Sequence, residues 1–186
     1  MTSKVPKFCG IDQSLTSTGV IVIQEDTLVY EDQFAFPEQP DYGHLIDMYA
    51  FFSDLWSKEF TAYGFEGYAF AAKGNTLTRL VELGTIIRLI ARESSWGPNY
   101  IFAPQNIKKF VAGKTFKKDE MRLEVYKRWG YENKSNDLVD AYAIARYTQA
   151  IYKHLRGEDQ KLTSFQSQAI ESWAKKKNGI WIEYDE

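Results

Sequence analysis

The sequence predicts an α/β sandwich, a mixed five-stranded sheet with helices on both faces. Three observations predict it. Up to Phe36 the chain holds three β-branched, apolar runs joined by short polar turns. From His44 to Ala103, runs with a helical period alternate with short apolar runs. Beyond Pro104 the pattern is helical almost throughout. The chain has 186 residues, 44% of them apolar and 26% charged. That is enough to bury a core in one domain without staples.

Phe8 to Asp12 is apolar and ends in an acid, which predicts the first strand. Gly19 to Ile23 predicts the second and Leu28 to Phe36 the third, with a turn at Glu25–Thr27, so the three form an antiparallel meander. His44 to Phe60 follows a helical period through Leu45, Met48, Tyr49, Phe52, Leu55 and Trp56. Ala62 to Phe70 predicts a fourth strand. Thr76 to Ala91 predicts a helix that is apolar around more than half its circumference, buried in the monomer or packed on a partner. Tyr100 to Ala103 is a fifth strand. Pro104 to Val111 is a short helix, with proline suited to its first turn. Ala112 to Lys118 is a basic loop, Asp119 to Trp129 a helix, and Asp137 to Leu155 a long helix. Arg156 to Thr163 reads as a polar, mobile connection. A last helix, Ser164 to Lys177, and a short strand, Ile180 to Tyr184, close the chain.

Composition excludes several chemistries. Cys9 is the one cysteine, so there is no internal disulfide and no thiolate-rich zinc site. His44 and His154 form no ligand-like pair, which disfavours zinc and Ser-His catalysis. No run of 18 apolar residues exists to span a membrane. Met1 to Lys7 lacks the apolar stretch of a signal peptide, so the expected location is the cytoplasm. The formal net charge is −2. From Gln105 to Arg128, however, eight basic residues face three acids, a local surplus of +5.

Four acids stand out by placement. Asp12 ends the first strand and Glu66 lies in the fourth. Asp137 and Asp140 open the long helix three residues apart, on one face. If the first and fourth strands are neighbours, all four address one spot. Gathered carboxylates repel and cost stability unless a cation sits among them. Oxygen ligands suit Mg²⁺ or Mn²⁺. Two such ions about 4 Å apart can clamp a scissile phosphate. Each acid also has a plainer use. Asp12 could cap a turn and Glu66 could face solvent. Asp137 and Asp140 could be a helix N-cap and its companion three residues on.

Gly10-Ile11-Asp12, followed by a small-residue turn and Gly19, resembles the opening motif of RuvC-type Holliday junction resolvases. Glu66, then Ala72-Lys73-Gly74-Asn75 opening an apolar helix, is similar to that family's second acidic motif. Asp137-Leu138-Val139-Asp140-Ala141-Tyr142-Ala143-Ile144-Ala145 resembles its closing motif. The match runs from about Lys7 to Tyr152. It implies a ribonuclease-H-like fold, a homodimer, and metal-dependent nicking of four-way DNA junctions by paired symmetric cuts. Asp12, Glu66, Asp137 and Asp140 would be the metal-binding carboxylates, holding two Mg²⁺ or Mn²⁺ ions. No nucleotide cofactor is implied. Gln13-Ser14 stands where the family has Pro-Gly, the stretch after Glu66 is one residue longer, and the basic loop is slightly shorter. The tail beyond Arg156 has no counterpart. These departures suggest a divergent, phage-type member, acting in a bacterial or phage-infected cell. Residues 1–155 would be the nuclease domain and 156–186 an extension.

Lys108, Lys109, Lys114, Lys117 and Lys118 surround a glycine-containing loop suited to phosphates. By the resemblance, Lys108 and Lys118 match basic residues near the active site, and Lys118 would stabilise charge on the scissile phosphate. Tyr68 and Phe70 occupy the region where the family places an aromatic wedge, with Lys73 beside them on phosphate. Stacking on a base is worth about 1–3 kcal/mol, but both rings could equally belong to the core. Thr76 to Ala91 would pair two subunits, if it is not buried within one. Other readings share the fold: a nuclease for flaps, forks or RNA–DNA hybrids, or a branched-DNA-binding scaffold without catalysis. An actin-like phosphotransferase also opens with Gly-x-Asp and small hydroxyl residues, but it needs two such lobes.

Overall fold

The computed structural model describes residues 5–35, 43–55, 60–67, 75–93, 97–117 and 120–175. Its first three strands, β1 (Lys7–Asp12), β2 (Ser17–Gln24) and β3 (Thr27–Ala35), form the expected meander. A two-residue turn at Glu25 and Asp26 joins β2 to β3, with Glu25 in the left-handed region at φ 53°. That conformation is disfavoured for a residue with a Cβ. Two side chains from the long helix hold it. Gln149 Nε2 donates to Glu25 O at 2.7 Å, and Arg146 donates to Asp26 Oδ1 at 2.6 Å.

The chain continues through α1 (Gly43–Leu55), β4 (Ala62–Glu66), α2 (Asn75–Glu93) and β5 (Asn99–Phe102). Then come α3 (Pro104–Ala112), α4 (Met121–Trp129), α5 (Asn136–Leu155) and α6 (Ser164–Lys175). The sheet order is β3-β2-β1-β4-β5. β1 pairs antiparallel with β2 and parallel with β4, and β4 pairs parallel with β5. The sheet is therefore mixed and five-stranded, and the first and fourth strands are neighbours. One expected element ends earlier than its apolar pattern: β4 stops at Glu66, with Gly67 outside the strand, while residues 56–59 of the expected first helix lie outside the described residues. The expected terminal strand, Ile180 to Tyr184, lies outside the described residues.

Alternate strand residues face opposite sides of a sheet, and two cores follow. Cys9, Ile11, Val20, Val22, Tyr63 and Phe65 pack with α1 and α2. Phe8, Ile21, Ile23, Ala62, Tyr100 and Phe102 pack with α3 to α6. Much of the high aromatic content is spent in the second core, where Phe102, Tyr147 and Phe110 stack at 4.4 and 4.5 Å. Cys9 is fully buried, and burial pushes its thiol pKa up. It is a core residue and not a nucleophile.

α5 lies directly on the sheet, and two glycines let it. A Cβ on Gly10 would sit 2.1 Å from Ala141 O and 2.3 Å from Ala145 N. A Cβ on Gly19 would sit 2.4 Å from Asp137 O. The helix backbone thus occupies the space of two absent side chains.

The connection before α6 is anchored, contrary to the expectation of mobility. Gln160 Nε2 donates to Ala150 O at 3.0 Å, and Gln166 Oε1 accepts from Thr163 N at 3.1 Å. Ala169, Ile170 and Trp173 of α6 enter the second core. Pro98 O, just before β5, and Phe102 O at its end point toward β4 and the residue after it, accepting from Tyr63 N and Gly67 N. The alternation of a parallel pair leaves Ile101 O on the outer edge. Trp173 Nε1 donates to it at 3.2 Å. Among the described residues no helix is long and apolar enough to cross a membrane.

Candidate active site

One row of residues crosses the sheet beneath the first turns of α5. Gln33 on β3 pairs with Gly19 on β2, and Gly19 pairs with Asp12 on β1. Ile11 pairs with Phe65, so one step on Asp12 and Glu66 stand side by side on β1 and β4. Facing pairs share a side of the sheet. Gly10 meets α5, so by alternation Asp12 turns to α5 as well. Phe65 belongs to the α1–α2 core, so Glu66 also turns to α5. The row Gln33–Gly19–Asp12–Glu66 therefore lies on the face that α5 covers, and Asp12 is only 6% exposed.

α5 brings the other two acids to that row. Its N-cap is Ser135, whose Oγ accepts from Leu138 N. The alternative use of Asp137 and Asp140 as a cap and its companion is thereby excluded. The first turn still favours an anion there. Asp137 O rests over Gly19. Asp137 Oδ2 accepts from Ser17 Oγ and, at 3.0 Å, from Gln33 Nε2. Asp140 lines a pocket of about 140 Å³ with Glu66, Pro104, Ile107, Lys108 and Met121. Asp137 thus engages β2 and β3, while Asp140 lines one pocket with Glu66 of β4.

As a donor set this arrangement suits a hard divalent cation. It offers carboxylate oxygens from four places on one face and at one end of the sheet. Gln13 adds an oxygen beside Asp12. Its Nε2 donates to Glu66 O at 3.2 Å, while its Oε1 is buried with no hydrogen-bond partner. Such an atom calls for a donor or a cation. Among the described residues, no three Asp, Glu, His or Cys groups are close enough together to hold a metal ion.

The basic stretch divides into two kinds of residue. Lys108 lines the acid pocket, and its Nζ donates to Phe116 O at 2.7 Å, so it holds the following loop against α3. Lys109, Lys114 and Lys117 are exposed. Arg122 and Arg128 serve the fold. Arg122 donates to Lys134 O and Asn136 Oδ1, fastening the entry to α5. Arg128 donates to Val111 O and lies 4.6 Å over the ring of Phe165, and its burial lowers its pKa. Lys118, Tyr68, Phe70 and Lys73 lie outside the described residues. Ser17, Gln33 and Gln13 are the site residues that sequence reasoning missed. Gln13 and Ser17 lie inside the motif from Gly10 to Gly19, which gives neither a role, and only the register that pairs Gly19 with Gln33 could have found Gln33.

No family model matches the sequence, and no curated protein matches it. Solved structures do share its fold, and they are ribonuclease-H-like. One is RuvC of T. thermophilus in complex with a Holliday junction substrate. It is 21% identical with a TM-score of 0.68, over 81% of this chain and 96% of that one. Another, also of Thermus thermophilus RuvC, is 22% identical with a TM-score of 0.65 and the same coverage. The ribonuclease-H-like fold implied by the motif resemblance is thus the fold of the structure.

Proposed function

We propose that this protein is a structure-selective endonuclease that cuts four-way DNA junctions with the help of Mg²⁺ or Mn²⁺. The observation that carries the reading is the row across the sheet. It sets Asp12 between Gly19 and Glu66, with Asp137 over Gly19 and Asp140 sharing a pocket with Glu66, in a fold shared with a protein solved on a Holliday junction. Asp12, Glu66, Asp137 and Asp140 would hold the cations, two per site. When bound, these lower the pKa of water and neutralise charge on the phosphate.

The residues themselves supply placement. Asp12 and Glu66 fix two carboxylates on adjacent strands, so their spacing is set by the sheet and not by a loop. α5 carries the other two on a buried, rigid helix. Lys108 holds the basic loop beside the pocket, where Lys109, Lys114 and Lys117 meet phosphates. Lys118 would stabilise the charged transition state. Hydrolysis adds water oxygen to phosphorus and breaks the bond to the 3′ oxygen, which leaves with a proton. The products carry 5′-phosphate and 3′-hydroxyl ends. Tyr68 and Phe70 would wedge the opened junction, with Lys73 on phosphate. Two copies meeting through α2, where Val81 and Leu89 are exposed, would cut opposing strands symmetrically.

The test is a synthetic mobile four-way junction, end-labelled on each arm and incubated with Mg²⁺. Paired nicks at symmetric positions are expected. Preference for a linear RNA–DNA hybrid or a flap would change the substrate assigned. A second reading keeps the fold and the exposed lysines Lys109, Lys114 and Lys117 but not the chemistry, a branched-DNA-binding scaffold without catalysis. Tight junction binding with no cleavage under either metal would establish it.

The lysines should separate by role. Lys114→Ala and Lys117→Ala each weaken junction binding and lower the salt slope by about 1, as one phosphate contact is lost. Lys108→Ala should reduce cleavage more than binding, because it frees the loop at Phe116. Affinity measured over a salt series, paired with single-turnover cleavage, reads both effects. Equal losses in all three variants would refute the division.

A further inference from the structure

We propose that Ser17 and Gln33 are positioning residues that hold the Asp137 carboxylate in its metal-binding orientation. The inference rests on the reading of Asp137 as a ligand and adds what orients it. Three bonds form a closed triangle. Ser17 Oγ donates to Asp137 Oδ2, Gln33 Nε2 donates to the same oxygen at 3.0 Å, and Gln33 Nε2 reaches Ser17 Oγ at 3.1 Å. Both donors are neutral, so they orient the carboxylate without cancelling the charge a cation needs. Both bonds fall on Oδ2, a pattern compatible with ligation through the other oxygen.

The placement follows from register. Ser17 and Gly19 lie two residues apart on one face of β2, and Gln33 is paired with Gly19. Gly19 has no side chain, so the backbone of Asp137 descends between them. Carboxylates that ligate metals are themselves held by neighbouring hydrogen bonds, and loss of such a partner costs about 10–100-fold in metal affinity or activity. Helix capping does not account for these bonds, since Ser135 performs it.

The experiment uses the full chain with Gln33→Leu, Ser17→Ala and Ser17→Thr. Mn²⁺ is titrated calorimetrically without DNA. Thermal melting, and junction cleavage against Mn²⁺ concentration, are measured alongside. Gln33→Leu and Ser17→Ala are expected to weaken Mn²⁺ uptake about 10–100-fold with melting unchanged. Gln33 lies on an exposed edge strand, and Ser17→Thr keeps the hydroxyl, so the latter should stay close to wild type. Unchanged uptake in the first two variants overturns the proposal. So does tighter uptake, which would make the triangle a latch holding Asp137 away from the ion. A fall in melting temperature in step with affinity would assign the bonds to anchoring α5 instead. If wild-type protein neither takes up Mn²⁺ nor cuts, the nuclease reading fails and this one with it. If wild type does both and the variants match it, positioning alone fails.

Discussion

Asp12→Asn should abolish junction cleavage, by about 10³-fold or more, while junction binding survives. Asp12 occupies the middle of the row, flanked by Gly19 on one strand and Glu66 on the next. Asparagine keeps its shape and volume but removes the negative charge. Stabilisation of the transition state by a bound cation is worth several kcal/mol, and each 1.36 kcal/mol is a factor of ten in rate. Binding should persist because Lys109, Lys114 and Lys117 sit in another part of the chain. Single-turnover cleavage with Mg²⁺, beside a gel-shift titration with Ca²⁺, measures the two quantities separately. A variant that cuts within tenfold of wild type would remove Asp12 from the site.

Gly10→Ala should have the largest effect on stability. The added Cβ would overlap Ala141 O and Ala145 N, which are backbone atoms of a buried helix and cannot rotate away. Overpacking of a core costs about 1–3 kcal/mol and more where the backbone must move. For a chain of this size 3 kcal/mol lowers Tm by roughly 6–12 °C. Gly19→Ala meets Asp137 O, in the first turn of α5, where displacement is less constrained. Its expected signature is a smaller loss of Tm with a larger loss of cleavage. Calorimetric melting of both variants, with cleavage rates on the folded fraction, distinguishes them. A Gly10→Ala protein that melts with wild type would contradict the close approach of α5 to β1.

These two glycines also show where sequence reading works and where it stops. Gly10 and Gly19 were visible as parts of a motif, but their reason is the helix above them, 118 residues and more away along the chain. The continuous apolar runs of Phe8 to Asp12 and Gly19 to Ile23 made the strands legible, because a strand buried on both faces is apolar throughout. The long helix was legible from Asp137 to Leu155 because so many of its positions are apolar. Its burial extends even to Arg146, Thr148 and Gln149, which no local pattern marks, because the first and last of these hold the β2–β3 turn. The acids were legible through type and placement. Their partners were not, since Ser17 and Gln33 acquire meaning only once three strands are in register. The basic stretch read as one surface. Arg122 and Arg128 left it because each found a backbone carbonyl to hold.

The indole of Trp173 reaches beyond the domain's own stability. A strand with bare carbonyls is a template on which other chains can assemble into fibrils. On one flank the C-terminal helix satisfies Ile101 O and covers that template. On the opposite flank β3 is exposed but carries Glu31 and Asp32, whose charges repel an incoming copy. Removing the helix would leave the first flank without either defence, so a shortened chain would meet precipitation during refolding before it met DNA.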